Sequence, residues 1–300
     1  MSNSQFMNNA FVVGEVRDIE LSELGQRKNA RCRVNLYTNN GYVNVQLNSP
    51  KKAERNYAED LMDSLDKGDI VQISGTLEEF FWNDEYRRNV SPYVSTKNGW
   101  GNSIKVLAPE QEVDKKANAR LAGDIIEKEI SYDDEGNMQI DFGLLYFSDY
   151  NPADRDNPLT REKVLLNAIE NFGSYAKDNN KDIDFQKLTE LKEEVELLEE
   201  SDLKEIVTVY KEFVNVYNPL LFNISEFHIT AKGKFAEEME DVEEFDNITV
   251  GVYIKNNTVI DEFGLAEGSE NLLEVGKFQG INESLAGGGT ELESDFKTDW

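Results

Sequence analysis

From Arg31 to Leu47 the residues alternate in kind with a period of two, broken once by Asn39-Asn40-Gly41. Successive side chains of a strand point to opposite faces, so this stretch reads as two half-buried strands. Cys32, Val34 and Leu36 share one face with Val43, Val45 and Leu47. Arg31, Arg33, Asn35 and Tyr37 take the other face with Tyr42, Asn44 and Gln46. An Asn-Gly turn between two such runs is a strong hairpin signal. The fold must therefore contain a sheet with one dry side and one wet side, and the wet side is basic and aromatic.

The flanking segments extend the pattern. Residues 10–21 read as a strand bent at Gly14. Residues 51–66 place Ala53, Tyr57, Leu61 and Leu65 four apart, which is the spacing of one helical face. In 70–82 strand period returns, with Val71, Ile73 and Leu77 inward and Gln72, Ser74, Thr76, Glu78, Phe80 and Trp82 outward, while Phe81 has inward parity. Residues 86–96 supply a fifth strand. Three strands, a helix and two strands is the order of an OB-fold, a small Greek-key barrel used for oligonucleotides.

At these residues the chain resembles the bacterial and phage single-stranded DNA-binding protein family. The resemblance rests on Asn9 to Val16, Ala53-Glu54, Lys67-Gly68-Asp69, Ser74 to Leu77, the aromatic hairpin from Trp82 to Arg88, and the exit Ile104 to Pro109. It covers about a third of the chain. Leu47-Asn48-Ser49 stands where the family usually carries a stacking tryptophan. The resemblance implies a protein that coats and protects exposed strands in DNA replication, recombination or repair. The strongly acidic two-domain layout departs from the ordinary bacterial form and points to a phage (viral) member, placed in the cytoplasm of its host.

A repeat organises the remainder. Asn9-Ala10, Gly14 and Leu36-Tyr37 recur as Asn118-Ala119, Gly123 and Leu145-Tyr146 at an offset of 109, and Ser74 to Leu77 is matched with Lys232 to Phe235 at an offset of 158. Self-similarity of this kind suggests a duplicated module, with chance as the competing account. Three stretches, 161–177, 185–200 and 202–217, carry apolar residues at three-four spacing and read as helices. Strand period resumes in 227–235, 247–254, 258–263 and 271–278. The expected fold is mainly β with an α insertion. Residues 1–110 form an OB-fold barrel, and 117–282 a second OB-like barrel with a helical insertion at about 160–218. Residues 283–300 form a flexible acidic tail.

Net charge is −28, which taken over the whole chain opposes a phosphate ligand. Its distribution matters more. Residues 1–105 hold 13 Lys+Arg against 14 Asp+Glu, leaving 18 and 45 for the rest. The first domain is near neutral and can carry a basic groove, formed by Arg31, Arg33, Tyr37, Tyr42, Phe80, Trp82, Tyr86, Arg87, Arg88 and Tyr93, with Lys51, Lys52 and Arg55 at its edge. Rings accept any base and cations neutralise phosphates, so such a set binds single-stranded DNA, or RNA, without reading sequence. The competing reading packs the same rings into an interface. In the tail, Asp295, Phe296, Asp299 and Trp300 follow a Gly287-Gly288-Gly289 hinge. The resemblance implies that this tip docks replication and recombination proteins.

Other chemistries find little support. One Cys and one His cannot assemble a Cys/His zinc site. No phosphate-binding glycine loop is present, and His228 lies in a strand pattern as a satisfied imidazole rather than a base. Asp133-Asp134-Glu135 and Asp141 are the weak basis for a metal-dependent nuclease, and the run Glu237 to Glu244 shows no apolar frame. The expectation is a non-enzyme without cofactor or metal, with an acidic DNA-mimicking scaffold as the alternative. The N-terminus has neither a basic n-region nor a long apolar run, so no export or membrane insertion is expected. Homo-oligomerisation stays open.

Overall fold

The computed structural model describes residues 6–24, 29–49, 56–82, 85–94, 100–101, 103–108, 113–148, 159–217 and 223–254, with the side chains of 23, 24, 29, 80–82 and 85–87 outside that description. Among the described residues, ten strands join in one continuous sheet. The first six are β1 (Met7–Leu24), β2 (Asn29–Thr38), β3 (Gly41–Asn48), β4 (Ile70–Trp82), β5 (Glu85–Pro92) and β6 (Ile104–Val106), with α1 (Tyr57–Ser64) between β3 and β4.

β1 serves two neighbours in turn. Its first half, Ala10–Glu15, pairs with β4, and Glu15–Leu24 pairs with β2. An irregularity between Val16 and Asp18 bends the strand from one partner to the other. β3 meets β5 in parallel at Val45 and Val90, so the ring β1-β2-β3-β5-β4 closes. This is the expected OB barrel. Its interior is the dry face read from the alternation: Cys32, Val34, Leu36, Val43, Val45 and Leu47 are all buried. Gly14 allows close approach rather than a positive φ, because a Cβ there would lie 3.0 Å from the Leu36 Cβ.

α1 plugs the barrel with Tyr57, Ala58 and Leu61. It starts at Tyr57, where Asn56 caps it and accepts a hydrogen bond from the Glu59 amide. Residues 50–55, including Ala53, lie outside the described set.

The second half is built from β7 (Ala117–Tyr132), β8 (Met138–Phe147), β9 (Ile224–Lys232), α5 (Lys234–Glu240) and β10 (Asn247–Tyr253). It repeats the first in detail. β7 changes partner at an irregularity between Ile125 and Glu127, 109 residues after its counterpart in β1. β10 then pairs with the first half of β7 as β4 does with β1. The turn into β4 is pinned by Val16 N–H to the Asp69 carbonyl and Gly68 N–H to the Val16 carbonyl, both 2.8 Å. The turn into β10 uses Ile125 to Asp246 at 2.9 Å and Phe245 to Ile125 at 2.7 Å. Even the positive φ is kept, 98° at Gly68 and 72° at Phe245.

Two details of the repeat differ from the sequence reading. In the second strand the offset is 108, since Leu36 opposite Val16 corresponds to Leu144 opposite Ile125. The fourth strand is matched at 177, with Val71 opposite Gly14 as Ile248 is opposite Gly123, rather than at 158. The motif Lys232-Gly233-Lys234-Phe235 is instead the start of α5, whose Phe235, Ala236 and Met239 are buried as Tyr57, Ala58 and Leu61 are. The acidic run from Glu237 therefore does have an apolar frame. The counterpart of β5 would follow residue 254, so the strands expected at 258–263 and 271–278 and the tail at 283–300 lie outside the described residues.

Between β8 and β9 stand α2 (Arg161–Asp178), α3 (Phe185–Glu196) and α4 (Leu203–Tyr217), the three helices read from spacing. The insertion thus splits the second-to-third-strand hairpin of the second copy. Its apolar faces pack with Ile126, Leu145, Phe147 and Ile224 in a second core. Arg161 ties that core together, bridging Asp124 at 2.7 Å and also reaching Glu200.

The two copies meet through β1 and β7, where Met7–Val12 runs antiparallel to Ala122–Ala117. Ala10 faces Ala119, its own counterpart at an offset of 109, and the pairs fan out symmetrically from there. This is the geometry of a two-fold interface, formed within one chain.

Candidate nucleic-acid interface

The β2–β3 hairpin sets the candidate surface. Its cross-strand pairs are Arg31 with Asn48, Arg33 with Gln46, Asn35 with Asn44, and Tyr37 with Tyr42. All eight point away from the barrel interior, and none is a carboxylate. Tyr37 and Tyr42 are 38% and 45% exposed, with ring centroids 5.3 Å apart at 63°. An edge-on pair of this kind leaves ring faces for a third flat partner. Arg17, from β1, lies 5.1 Å over the Tyr37 ring. Arg31 donates from Nε to Asn48 Oδ1 at 3.2 Å. Arg33 is 3.8 Å from Glu20, both side chains well exposed, a pair too loose and wet to hold the guanidinium. Burial lowers the Arg31 pKa, with Arg33 beside it adding to the effect, and burial raises that of Glu78 nearby.

Of the residues singled out from sequence, Arg31, Arg33, Tyr37 and Tyr42 are thus brought together. Tyr93 is not with them. It is half-buried, its hydroxyl donates to Asn9 Oδ1 at 2.7 Å, and burial pushes its pKa up to about 12. Arg88 is a clear correction. Expected in the basic groove, it shares the parity of buried Val90, is 7% exposed and faces the second copy. There it donates to Glu79 at 2.6 Å and to the His228 carbonyl at 2.8 Å. Burial lowers its pKa to about 10 against the pull of Glu79. Gln46 keeps its place on the outer face but is buried there, where it accepts from Asn89. Phe80, Trp82, Tyr86 and Arg87 belong to β4 and β5, but their side chains are outside the described set, as are Lys51, Lys52 and Arg55. Asp295, Phe296, Asp299 and Trp300 are outside it too. Arg17 was missed. The two consecutive exposed polar residues Arg17-Asp18 mark the bulge that turns Arg17 toward the hairpin.

His228 is the centre of a second cluster, at the seam between copies. Glu79, 2% exposed, accepts from the His228 backbone N–H at 3.2 Å and lies 2.7 Å from Nδ1. Nε2 lies 3.1 Å from Glu226 and 3.9 Å from Glu127. Burial alone would lower the imidazole pKa, but hydrogen bonds and charge from Glu226 and Glu79 raise it to about 9. Glu127, Glu226 and His228 also form a group of metal-capable side chains among the described residues, their ligand atoms within 4.8 Å. Its charge is already compensated from inside the protein: Tyr210 donates to Glu226 at 3.0 Å and the Lys211 ammonium is 3.5 Å from Glu127. The carboxylates considered for a nuclease do other work. Asp133 caps the β7–β8 turn through the Glu135 and Asn137 amides, and Asp141 accepts from Thr230.

No protein-family model matches this chain, and no curated protein sequence does either. Among solved structures, the wild-type single-stranded DNA binding protein from Thermus aquaticus is similar at 14% identity and a TM-score of 0.45, covering 84% of this chain and 86% of that one. The second single-stranded DNA binding protein from Mycobacterium smegmatis is similar at 19% identity and a TM-score of 0.25, over 36% of this chain and 99% of its own. A small single-stranded DNA-binding protein from Streptomyces coelicolor aligns at 17% identity and a TM-score of 0.22. Among the described residues no helix is long and apolar enough to cross a membrane.

Proposed function

We propose that this protein binds single-stranded DNA on the outer face of the β2–β3 hairpin. One observation carries the reading: in a chain with 59 acidic side chains, the eight outward positions of this hairpin are two arginines, two tyrosines and four amides. Arg31, Arg33 and Arg17 neutralise backbone phosphates, and Tyr37 and Tyr42 stack on bases. The amides of Asn35, Asn44 and Asn48 offer both donors and acceptors, which suits any base edge. Rings on an open face need unstacked bases, so single strands are preferred to duplex. Phe80, Trp82, Tyr86, Arg87, Lys51, Lys52 and Arg55 extend the groove in this proposal, and the tail tip recruits replication or recombination proteins to the coated strand. The role is binding and protection, without catalysis.

Fluorescence anisotropy with a labelled oligo-dT tests it. Wild-type protein should bind the single strand far better than a blunt duplex, and Tyr37→Ala with Tyr42→Ala should lose about 1–3 kcal/mol of affinity per stacked base. Equal affinity for the two DNA forms would remove the reading.

A further inference from the structure

Repeat symmetry suggests two grooves per chain, one on each copy. We infer that the chain carries only one, because the counterpart of the binding face on the second copy is closed by the chain itself. This rests on the single-strand-binding reading above.

Strand register defines the counterparts. Tyr37, opposite Tyr42, corresponds to Leu145, opposite Glu226; Asn35, opposite Asn44, corresponds to Gly143, opposite His228; and Arg33, opposite Gln46, corresponds to Asp141, opposite Thr230. Each substitution removes a feature that a strand would use. Leu145 has no exposed surface and lies in the core beneath α2, α3 and α4, so the place of the outer ring is roofed by helices. At Gly143 the Glu127 and Ile126 side chains lie so close that a Cβ would meet both at 3.0 Å. Arg33 is replaced by an acid, and a carboxylate repels the phosphate that a guanidinium attracts.

The middle of the face is occupied from the other side. Glu79 and Arg88, opposite one another on β4 and β5, grip His228 by its amide, its carbonyl and its ring. The hairpin of the first copy therefore sits on the strand that corresponds to its own β3. The second face has become the anchor for the β4–β5 hairpin of the first.

Native mass spectrometry of the full chain with a short oligo-dT, of about 8 nucleotides to match one OB groove, tests this. At saturating oligonucleotide the expected stoichiometry is one per chain. Arg33→Ala with Tyr37→Ala and Tyr42→Ala should remove that binding by a hundredfold or more, whereas Asp141→Ala with Thr230→Ala should leave both affinity and stoichiometry within twofold of wild type. Two oligonucleotides per chain, or one that survives the triple substitution, overturns the inference while sparing single-strand binding as such. No oligonucleotide bound by the wild-type chain overturns both.

Discussion

The two copies share a strand order, a bulge, a turn with a positive φ and the inward positions of their helices, yet their outer faces have opposite characters. The first presents Arg33, Tyr37 and Tyr42 to solvent; the second presents Asp141 and hides Leu145 under three helices. What is preserved between them is backbone geometry, and what has diverged is everything the backbone does not need. A barrel constrains its interior by packing and its corners by φ, but any residue satisfies the outward parity of a strand. Function is written in that unconstrained set.

The seam between the copies offers the strongest way to break the comparison. Removing a partner from a buried ion pair strands the other charge, at a cost of about 3–5 kcal/mol. Glu79→Ala, which leaves the buried Arg88 without its carboxylate, is therefore expected to lower stability by that amount in a denaturant melt. An unchanged midpoint would mean that the copies are not held together here.

The same seam gives a pH dependence. The folded His228 pKa of about 9 is above the ordinary 6.5, so its protonated form is favoured by folding. The stabilisation is complete below about pH 6.5 and is lost as pH rises through 9, by at most about 3 kcal/mol. Melting temperature followed from pH 6 to 10 should fall for wild type and flatten for His228→Gln. Parallel curves would assign the pH dependence to other groups.

Equivalent glycines sharpen the comparison further. A Cβ on Gly123 would lie 2.4 Å from the Leu145 carbonyl oxygen, while on Gly14 its nearest neighbour is the Leu36 Cβ at 3.0 Å. Gly123→Ala should cost about 2–3 kcal/mol and Gly14→Ala about 1 kcal/mol, since backbone yields less than side chain. Equal costs in matched thermal melts would show that the two close approaches are not distinguished by packing.

The smallest effect separates the faces by charge. Arg31→Ala or Arg33→Ala should each reduce the salt slope of oligo-dT binding by about 0.7. Asp141→Ala, at the position matching Arg33, should leave the slope unaltered. An altered slope for Asp141→Ala would place phosphate near the second face.

Much of this was legible from alternation. A hairpin with Val34, Leu36, Val43 and Val45 on one side can bury only that side, so its register and wet face followed directly. Helical spacing placed α2, α3 and α4 within a few residues. What alternation could not show was tertiary. Arg88 shares the inward parity of Val90 and faces Glu79, but alternation cannot name what an inward ion pair meets, here β9, 140 residues later. Lys232-Gly233-Lys234-Phe235 looked like a strand because four residues suit either period; its helix is revealed by Phe235, Ala236 and Met239 reaching the core. The offset of the fourth strand was misplaced for that reason. Leu145 also carries no mark of its own occlusion, which depends on an insertion that begins beyond it.

The antiparallel contact of Met7–Val12 with Ala117–Ala122 also bears on how the chain is made. A translating ribosome adds about 5–20 residues each second. The N-terminal barrel can close once β5 has emerged, but one side of its longest strand then waits for residues 117–122. For those seconds it offers unpaired amides and carbonyls to any extended segment nearby, which is the hazard of every open sheet edge. Carrying the partner strand on the same polypeptide limits that exposure to a fixed interval, whatever the concentration of other copies.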